Sequence, residues 1–131
     1  MRNLRNSSIL QVEDNPIDQK IVKIMLGNWG MIADTAGNGK EAVQKVKEKK
    51  YDIILMDIYM PEMDGYEATK IIRQTYSKEE LPIFATSSAT SEEEKQKCLA
   101  AGMTEYVQKP FNLTELNEKI YQALMIKNST K

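Results

Sequence analysis

Histidine is absent from all 131 residues, and cysteine occurs once, at Cys98. Without an imidazole the chain cannot build a Ser-His-Asp or Cys-His nucleophile pair, bind zinc through histidine, or carry a phosphohistidine of its own. A single thiol closes no internal disulfide, and it fits a small buried hydrophobe in a reducing compartment. Charge of one sign is also missing. The 18 Lys and Arg are interleaved with 19 Asp and Glu, net charge -1, which leaves no basic stripe for DNA or RNA. No apolar run is long enough to cross a bilayer, and the opening Met1-Arg2-Asn3-Leu4-Arg5-Asn6 leads into no signal-like core. These absences predict a cytoplasmic segment with no direct contact to nucleic acid or membrane. Any phosphate or metal chemistry must rest on carboxylates, hydroxyls and lysines.

What is present suits one globular domain over residues 1–131, with a core from about 8 to 126 and short tails, since 41% of residues are hydrophobic and 28% charged. Apolar runs alternate with segments of helical period. Ile9-Leu10-Gln11-Val12 reads as a strand, closed by Glu13-Asp14-Asn15-Pro16, where Pro16 suits the first helical position. Ile17, Ile21, Ile24 and Asn28, widened by Met25, predict the inward stripe of a first helix ending at Gly27 to Gly30. A short Met31-Ile32-Ala33 strand follows, then a helix carrying Ala42, Val43 and Val46. Ile53 to Met56 is the third strand, and Ala68, Ile71, Ile72 and Thr75 mark the third helix. Ile83-Phe84-Ala85 is the fourth strand. Thr90 or Ser91, each with a glutamate three residues on, opens the fourth helix through a capping box. Tyr106-Val107 is the last strand, and Asn112 with Glu115 caps a final helix whose Leu113, Leu116, Ile120 and Leu124 should face inward.

Strict alternation implies a doubly wound α/β fold, a five-stranded parallel sheet with helices on both faces. Ligands of such sheets bind beyond the carboxyl ends of the strands. Those ends carry Glu13 and Asp14, then Asp57, then Ser87 and Ser88, then Lys109. Each has a bland use: an acid after a strand commonly caps a turn, a serine commonly makes one, and a lysine before proline is commonly solvated. Asp57 is the odd one, because Ile53-Ile54-Leu55-Met56 runs an apolar strand straight into a carboxylate, at a cost of several kcal/mol unless something compensates.

Taken together the residues offer that compensation. Carboxylates roughly 4 Å apart repel by about 4 kcal/mol at an effective dielectric near 20. Mg²⁺ resolves the conflict, because it takes a few carboxylate oxygens, keeps its waters and leaves room for a phosphate. One carboxylate can then attack a phosphoryl group in line while Lys109 and a serine hydroxyl hold the equatorial oxygens.

The stretches ILQVEDNP, DIILMDIYMPEMDG, IFATSSA and YVQKPF resemble, in order and spacing, the motifs of the response-regulator receiver domain of two-component signalling, over nearly the whole chain. The resemblance implies strand order 2-1-3-4-5, Mg²⁺-dependent transfer of phosphate from a phosphohistidine to one aspartate, and slow self-hydrolysis. It makes Asp57 the phosphoacceptor, Glu13 and Asp14 the acidic metal pair, and the Tyr59 backbone carbonyl a third metal ligand. Ser87 and Lys109 become the groups that contact the phosphoryl oxygens, with Thr86 and Ser88 one step to either side of the chosen serine. Tyr106 becomes the aromatic coupled to Ser87, and Lys109-Pro110 is expected to be cis. Ala89 falls at a small-residue position near the site. Binding of phosphate should draw Ser87 inward and open space for Tyr106, switching the face formed by the fourth helix, fifth strand and fifth helix for a partner.

Departures from the commonest family pattern are Ser for Thr at position 87, Glu for Asp at 13, and a bulky Tyr59 two residues past the acceptor, which should shield the acyl phosphate from water. Met60 and Met63 should only pack the loop. A flavin or nucleotide carrier would want a glycine- or hydroxyl-rich loop where Glu13-Asp14 stand, a cobalamin domain needs histidine, and a haloacid-dehalogenase-type phosphohydrolase carries a second Asp where this chain has Tyr59. A catalytically silent receiver-like adaptor is the main rival, opposed by the full set of acids with Lys109. The wording is most like receivers of hybrid histidine kinases. Only seven residues follow Leu124, so either a stand-alone receiver or a piece of a longer kinase is expected, the site being an autocatalytic acceptor and not a turnover enzyme. Partners would be a histidine kinase or phosphotransfer protein upstream and a signalling protein downstream.

Overall fold

A computed structural model describes residues 1–88 and 91–129. Five strands, β1 (Ser8–Val12), β2 (Ile32–Ala36), β3 (Ile53–Asp57), β4 (Ile83–Ser87) and β5 (Glu105–Gln108), alternate with α1 (Pro16–Asn28), α2 (Gly39–Glu48), α3 (Gly65–Ile72), α4 (Glu92–Ala101) and α5 (Leu113–Ser129). All strand pairs are parallel, in the order β2-β1-β3-β4-β5. The doubly wound sheet expected from the alternation, and the order implied by the resemblance, are both observed.

Period two along the strands divides the core. Leu10, Val12, Ile54, Met56, Ile83 and Ala85 pack with Ala42 and Val46 of α2, Ala68 and Ile72 of α3, and Cys98 of α4. Ile9, Ile53, Leu55, Phe84 and Val107 meet Val22 and Leu26 of α1 and Leu116, Ile120 and Leu124 of α5 on the other face. Central strands buried on both faces read as continuous apolar runs. Each fully buried Ile or Leu contributes about 1.5–3 kcal/mol. Cys98 is fully buried, as its reading as a small hydrophobe required.

Helix starts sit beside the carboxyl ends of the strands because capping residues follow them. Asn15 accepts from the amides of Ile17 and Asp18, Asp64 from Glu67, Ser91 from Glu94 and Asn112 from Glu115. The rim of acids is therefore also a rim of helix N-termini.

Four local expectations are corrected. On α1 the inward residues are Val22 and Leu26, with Met25 half-buried, whereas Ile17, Ile21 and Ile24 are 69%, 60% and 66% exposed and Asn28 is exposed too. The helix is apolar on two sides, and the shape of the sheet edge, with Leu4, Trp29 and Met31, chose between them. β2 runs to Ala36 with polar Asp34 and Thr35, as an edge strand can, and its Ile32 is exposed. Thr75 lies beyond the end of α3. Leu113, the first residue of α5, is 46% exposed because the inward stripe begins one turn later at Leu116.

Candidate functional site

The site is built at the strand ends by three short connections. Glu13 and Asp14 follow β1, Asp57 closes β3, and Lys109 follows β5. One ligand oxygen from each of Glu13, Asp14 and Asp57 lies within 4.8 Å of the others. Glu13 and Asp57 are buried while Asp14 is exposed, so the cluster opens to solvent on one side. Lys109 Nζ stands 2.5 Å from Glu13 Oε1 and 3.6 Å from Asp57 Oδ2. The other Glu13 oxygen accepts from the Asn15 amide at 3.2 Å. The Lys109-Pro110 peptide is cis.

Burial governs the protonation of Asp57. Desolvation raises its pKa to about 6, with the charges of Glu13 and Asp14 adding to the rise and Lys109 opposing it. Burial pushes Lys109 the other way, but its hydrogen bond to Glu13 and the charges of Asp57 and Glu13 more than reverse this and leave its pKa raised. Three acids and one ammonium form an undercompensated group that a further cation would neutralise.

A divalent oxygen-seeking ion fits this donor set. Two ligand oxygens on opposite sides of Mg²⁺ are about 4.1 Å apart, so oxygens within 4.8 Å need only a small closure. The donors are hard carboxylates, and no Cys or His competes for them. Lys109 already occupies part of the charge deficit, and would have to share it.

A glycine shapes the acceptor's loop. The Gly65 amide bonds the Ile58 carbonyl at 2.8 Å, and a Cβ on Gly65 would collide with the Asp57 carbonyl and the Ile58 Cα. Met60 and Met63 pack against the core below, the loop-filling role expected of them.

Ser87 and Tyr106 meet as the resemblance implies. Both are buried, and Ser87 hydrogen-bonds the Tyr106 phenol, whose ionisation burial disfavours. Ile83 and Ala85 lie in the same core cluster as Tyr106, and alternation puts Ser87 with them. Thr86 pairs with Asp57 across the sheet and Ser88 is exposed. Tyr106 as a whole is only 9% exposed. Ala89 lies outside the described residues.

Tyr59 departs most from expectation. It is 58% exposed, and its hydroxyl donates to both Glu94 oxygens at 2.9 Å. The Tyr66 hydroxyl donates to the same carboxylate. Glu94, anticipated only as part of a cap, is a buried acid held by two phenols, and charge-assisted bonds of this kind are worth about 1.5–3 kcal/mol each. The partners lie 35 and 28 residues away along the chain, on elements with no shared period, so no local signal marks them.

Residues 9–121 match the model of the response regulator receiver domain. Hybrid signal transduction histidine kinase B of Dictyostelium discoideum is 41% identical over 119 residues, covering 82% of this chain and 6% of that protein. The chain spans between 6% and 15% of the length of the curated relatives it matches first. Among solved structures, the receiver domain of sensor histidine kinase PA1611 of Pseudomonas aeruginosa, with a magnesium ion coordinated in its active-site cleft, superimposes with a TM-score of 0.83 at 36% identity, covering 90% of this chain and 97% of that one. The receiver domain of the Saccharomyces cerevisiae response regulator Ssk1, in complex with the histidine phosphotransfer protein Ypd1, gives 0.84 at 32% identity, covering 94% of this chain and 92% of that one.

Proposed function

We propose, from the premise that this chain belongs to the response regulator receiver domain family, that Asp57 accepts a phosphoryl group from a phosphohistidine donor in an Mg²⁺-dependent reaction. The observation that carries this reading is the convergence of Glu13, Asp14 and Asp57 on one point with Lys109 beside them. The N–P bond of the donor breaks as a bond from Asp57 Oδ to phosphorus forms. Bound Mg²⁺ would be held by Glu13, Asp14, Asp57 and the Tyr59 carbonyl, and would neutralise charge on the acids and the phosphoryl oxygens. Asp57 supplies the nucleophile on the rigid end of β3. Lys109 turns from Glu13 toward the phosphoryl oxygens, and Ser87 donates to another. Slow hydrolysis later returns Asp57 to the free carboxylate.

The Ser87–Tyr106 hydrogen bond supports a readout through α4, β5 and α5, because a phosphoryl group recruiting Ser87 takes that hydroxyl from the tyrosine. A downstream signalling protein reads that face. Upstream, the exposed ridge of Ile17, Ile21 and Ile24 on α1 supports docking of a phosphohistidine protein, since the helix starts two residues past Asp14. The Ssk1 complex with a phosphotransfer protein supports the same class of partner. Relatives that are histidine kinases support a place inside a hybrid kinase, and the buried free thiol of Cys98 supports the cytoplasm. No described helix is long and apolar enough to cross a membrane.

Incubation with acetyl phosphate and Mg²⁺, followed by intact mass, tests the reading. The parent gains one phosphoryl group only with Mg²⁺, and Asp57→Asn gains none. A parent that stays unmodified with both acetyl phosphate and a phosphohistidine protein is a silent adaptor instead.

A further inference from the structure

We propose that Gln19 is a positioning residue for the acids that hold Mg²⁺: its side-chain amide fixes the Glu13 main-chain carbonyl, and Gln11 of β1 fixes Gln19 in turn. This rests on the reading of Asp57 as an Mg²⁺-dependent acceptor and extends that site to two neutral residues outside the acid cluster.

The contacts begin inside the sheet. Gln11 sits on β1 two residues before Glu13, and only 2% of it is exposed. It shares the strand face of Ile9, which packs with α1. Its Nε2 donates to the main-chain oxygen of Gln19 at 3.1 Å and to Oγ1 of Thr35, its partner on β2, at 3.3 Å. Gln19, half-buried in the first turn of α1, donates from its own Nε2 to the Glu13 main-chain oxygen at 2.5 Å. Each amide can be oriented only this way, since turning it over would set oxygen against a carbonyl oxygen. Gln11 Oε1 is left buried with no donor, which costs about 1–3 kcal/mol. An apolar side chain would fill the same place without that loss, so what the amide supplies is its NH₂ group.

The Glu13 main chain is thereby held on both sides. Its N–H donates to the Ala36 carbonyl of β2 at 3.0 Å, and its carbonyl accepts from α1. Because the peptide is planar, fixing that oxygen also fixes the plane from which Asp14 departs. Asp14 depends on this more than its neighbours do. The Glu13 carboxylate is held by Lys109 and the Asn15 amide, and Asp57 closes a buried strand, whereas the exposed Asp14 carboxylate accepts no hydrogen bond among the described residues. Without the Gln19 bond the connection samples other arrangements. Only the fraction with all three acids gathered binds the ion, and the apparent dissociation constant rises in inverse proportion to that fraction.

Calorimetric titration with Mg²⁺ tests this, alongside urea midpoints measured without the ion. Gln19→Met keeps the length and helix preference of the side chain but cannot donate, and it should weaken binding by about threefold to tenfold, the change that losing one hydrogen bond of ordinary strength produces. In the same variant free of Mg²⁺, the Asn15 amide, which Glu13 Oε2 holds at 3.2 Å, should exchange with solvent faster than in the parent. Gln11→Met should weaken binding less. Gln11→Met with Gln19→Met should bind no more weakly than Gln19→Met alone, because Gln11 acts only through Gln19. Val22→Ala loosens the buried side of α1 without touching either amide, so it should lower the urea midpoint and leave Mg²⁺ affinity at the parental value. Parental affinity in Gln19→Met, losses that multiply in the double variant, or an equal loss in Val22→Ala overturns the proposal. A parent that binds no Mg²⁺ overturns the acceptor reading itself and the proposal with it, which is a different result.

Discussion

Lys109 and Glu13 are 96 residues apart in the chain, and their charged atoms are 2.5 Å apart in the fold. The ammonium is therefore engaged with an acid expected to face the metal, and Lys109 and Mg²⁺ compete for the same negative charge. Lys109→Met should bind Mg²⁺ roughly tenfold more tightly by calorimetric titration, an effect of the size expected for removing one charge at this distance in a partly solvated site. The same variant should be less stable without Mg²⁺, because two buried carboxylates lose their shared cation. Unchanged affinity would mean that Lys109 already stands clear of the acids in solution.

The raised pKa of Asp57 makes stability depend on pH. Its native value of about 6 lies above the ordinary 3.8, so the folded state holds the proton more tightly than the unfolded chain. The stability this gives is full below pH 3.8 and is lost as pH rises through about 6. Asp57→Asn, which never ionises, should be more stable than the parent above pH 6 by up to roughly 3 kcal/mol, with the gap closing toward pH 4. Saturating Mg²⁺ should narrow the gap at neutral pH. Urea midpoints across this range measure it.

Gly65 is required by the approach of backbone to backbone. Gly65→Ala should cost roughly 1–3 kcal/mol by overpacking against the Asp57 carbonyl and the Ile58 Cα. Because the loop it displaces carries the acceptor, uptake of phosphate from acetyl phosphate should slow as well.

The two apolar sides of α1 should respond oppositely. Leu26→Ala, fully buried, should cost about 2–5 kcal/mol in denaturant unfolding. Ile21→Ala, 60% exposed, should cost within about 0.5 kcal/mol. Ile21→Asp should fold normally and take phosphate from acetyl phosphate at the parental rate, yet slow transfer from a phosphohistidine protein. Equal transfer rates would remove the ridge from the docking surface.

Much of this was legible from residues alone. Ile53 to Met56 must be a strand buried on both faces, because nothing in it is polar, and a carboxylate at its end calls for compensation. Asn15-Pro16 and Ser91 announce helix starts through local hydrogen bonds, which need no knowledge of the rest of the fold. The gathering of Glu13, Asp14, Asp57 and Lys109 at one rim followed from alternation alone, since parallel strands bring all their carboxyl ends to the same edge. Local periodicity could not choose between the two apolar sides of α1, because that choice depends on which side fits the neighbouring strands. Nor could it show that Lys109 rests on Glu13, that Ser87 and Tyr106 are already joined, or that Tyr59 and Tyr66 share Glu94. Those contacts link residues far apart in the chain through burial, where an uncompensated charge is expensive, and only the folded arrangement determines which partner is near enough to relieve it.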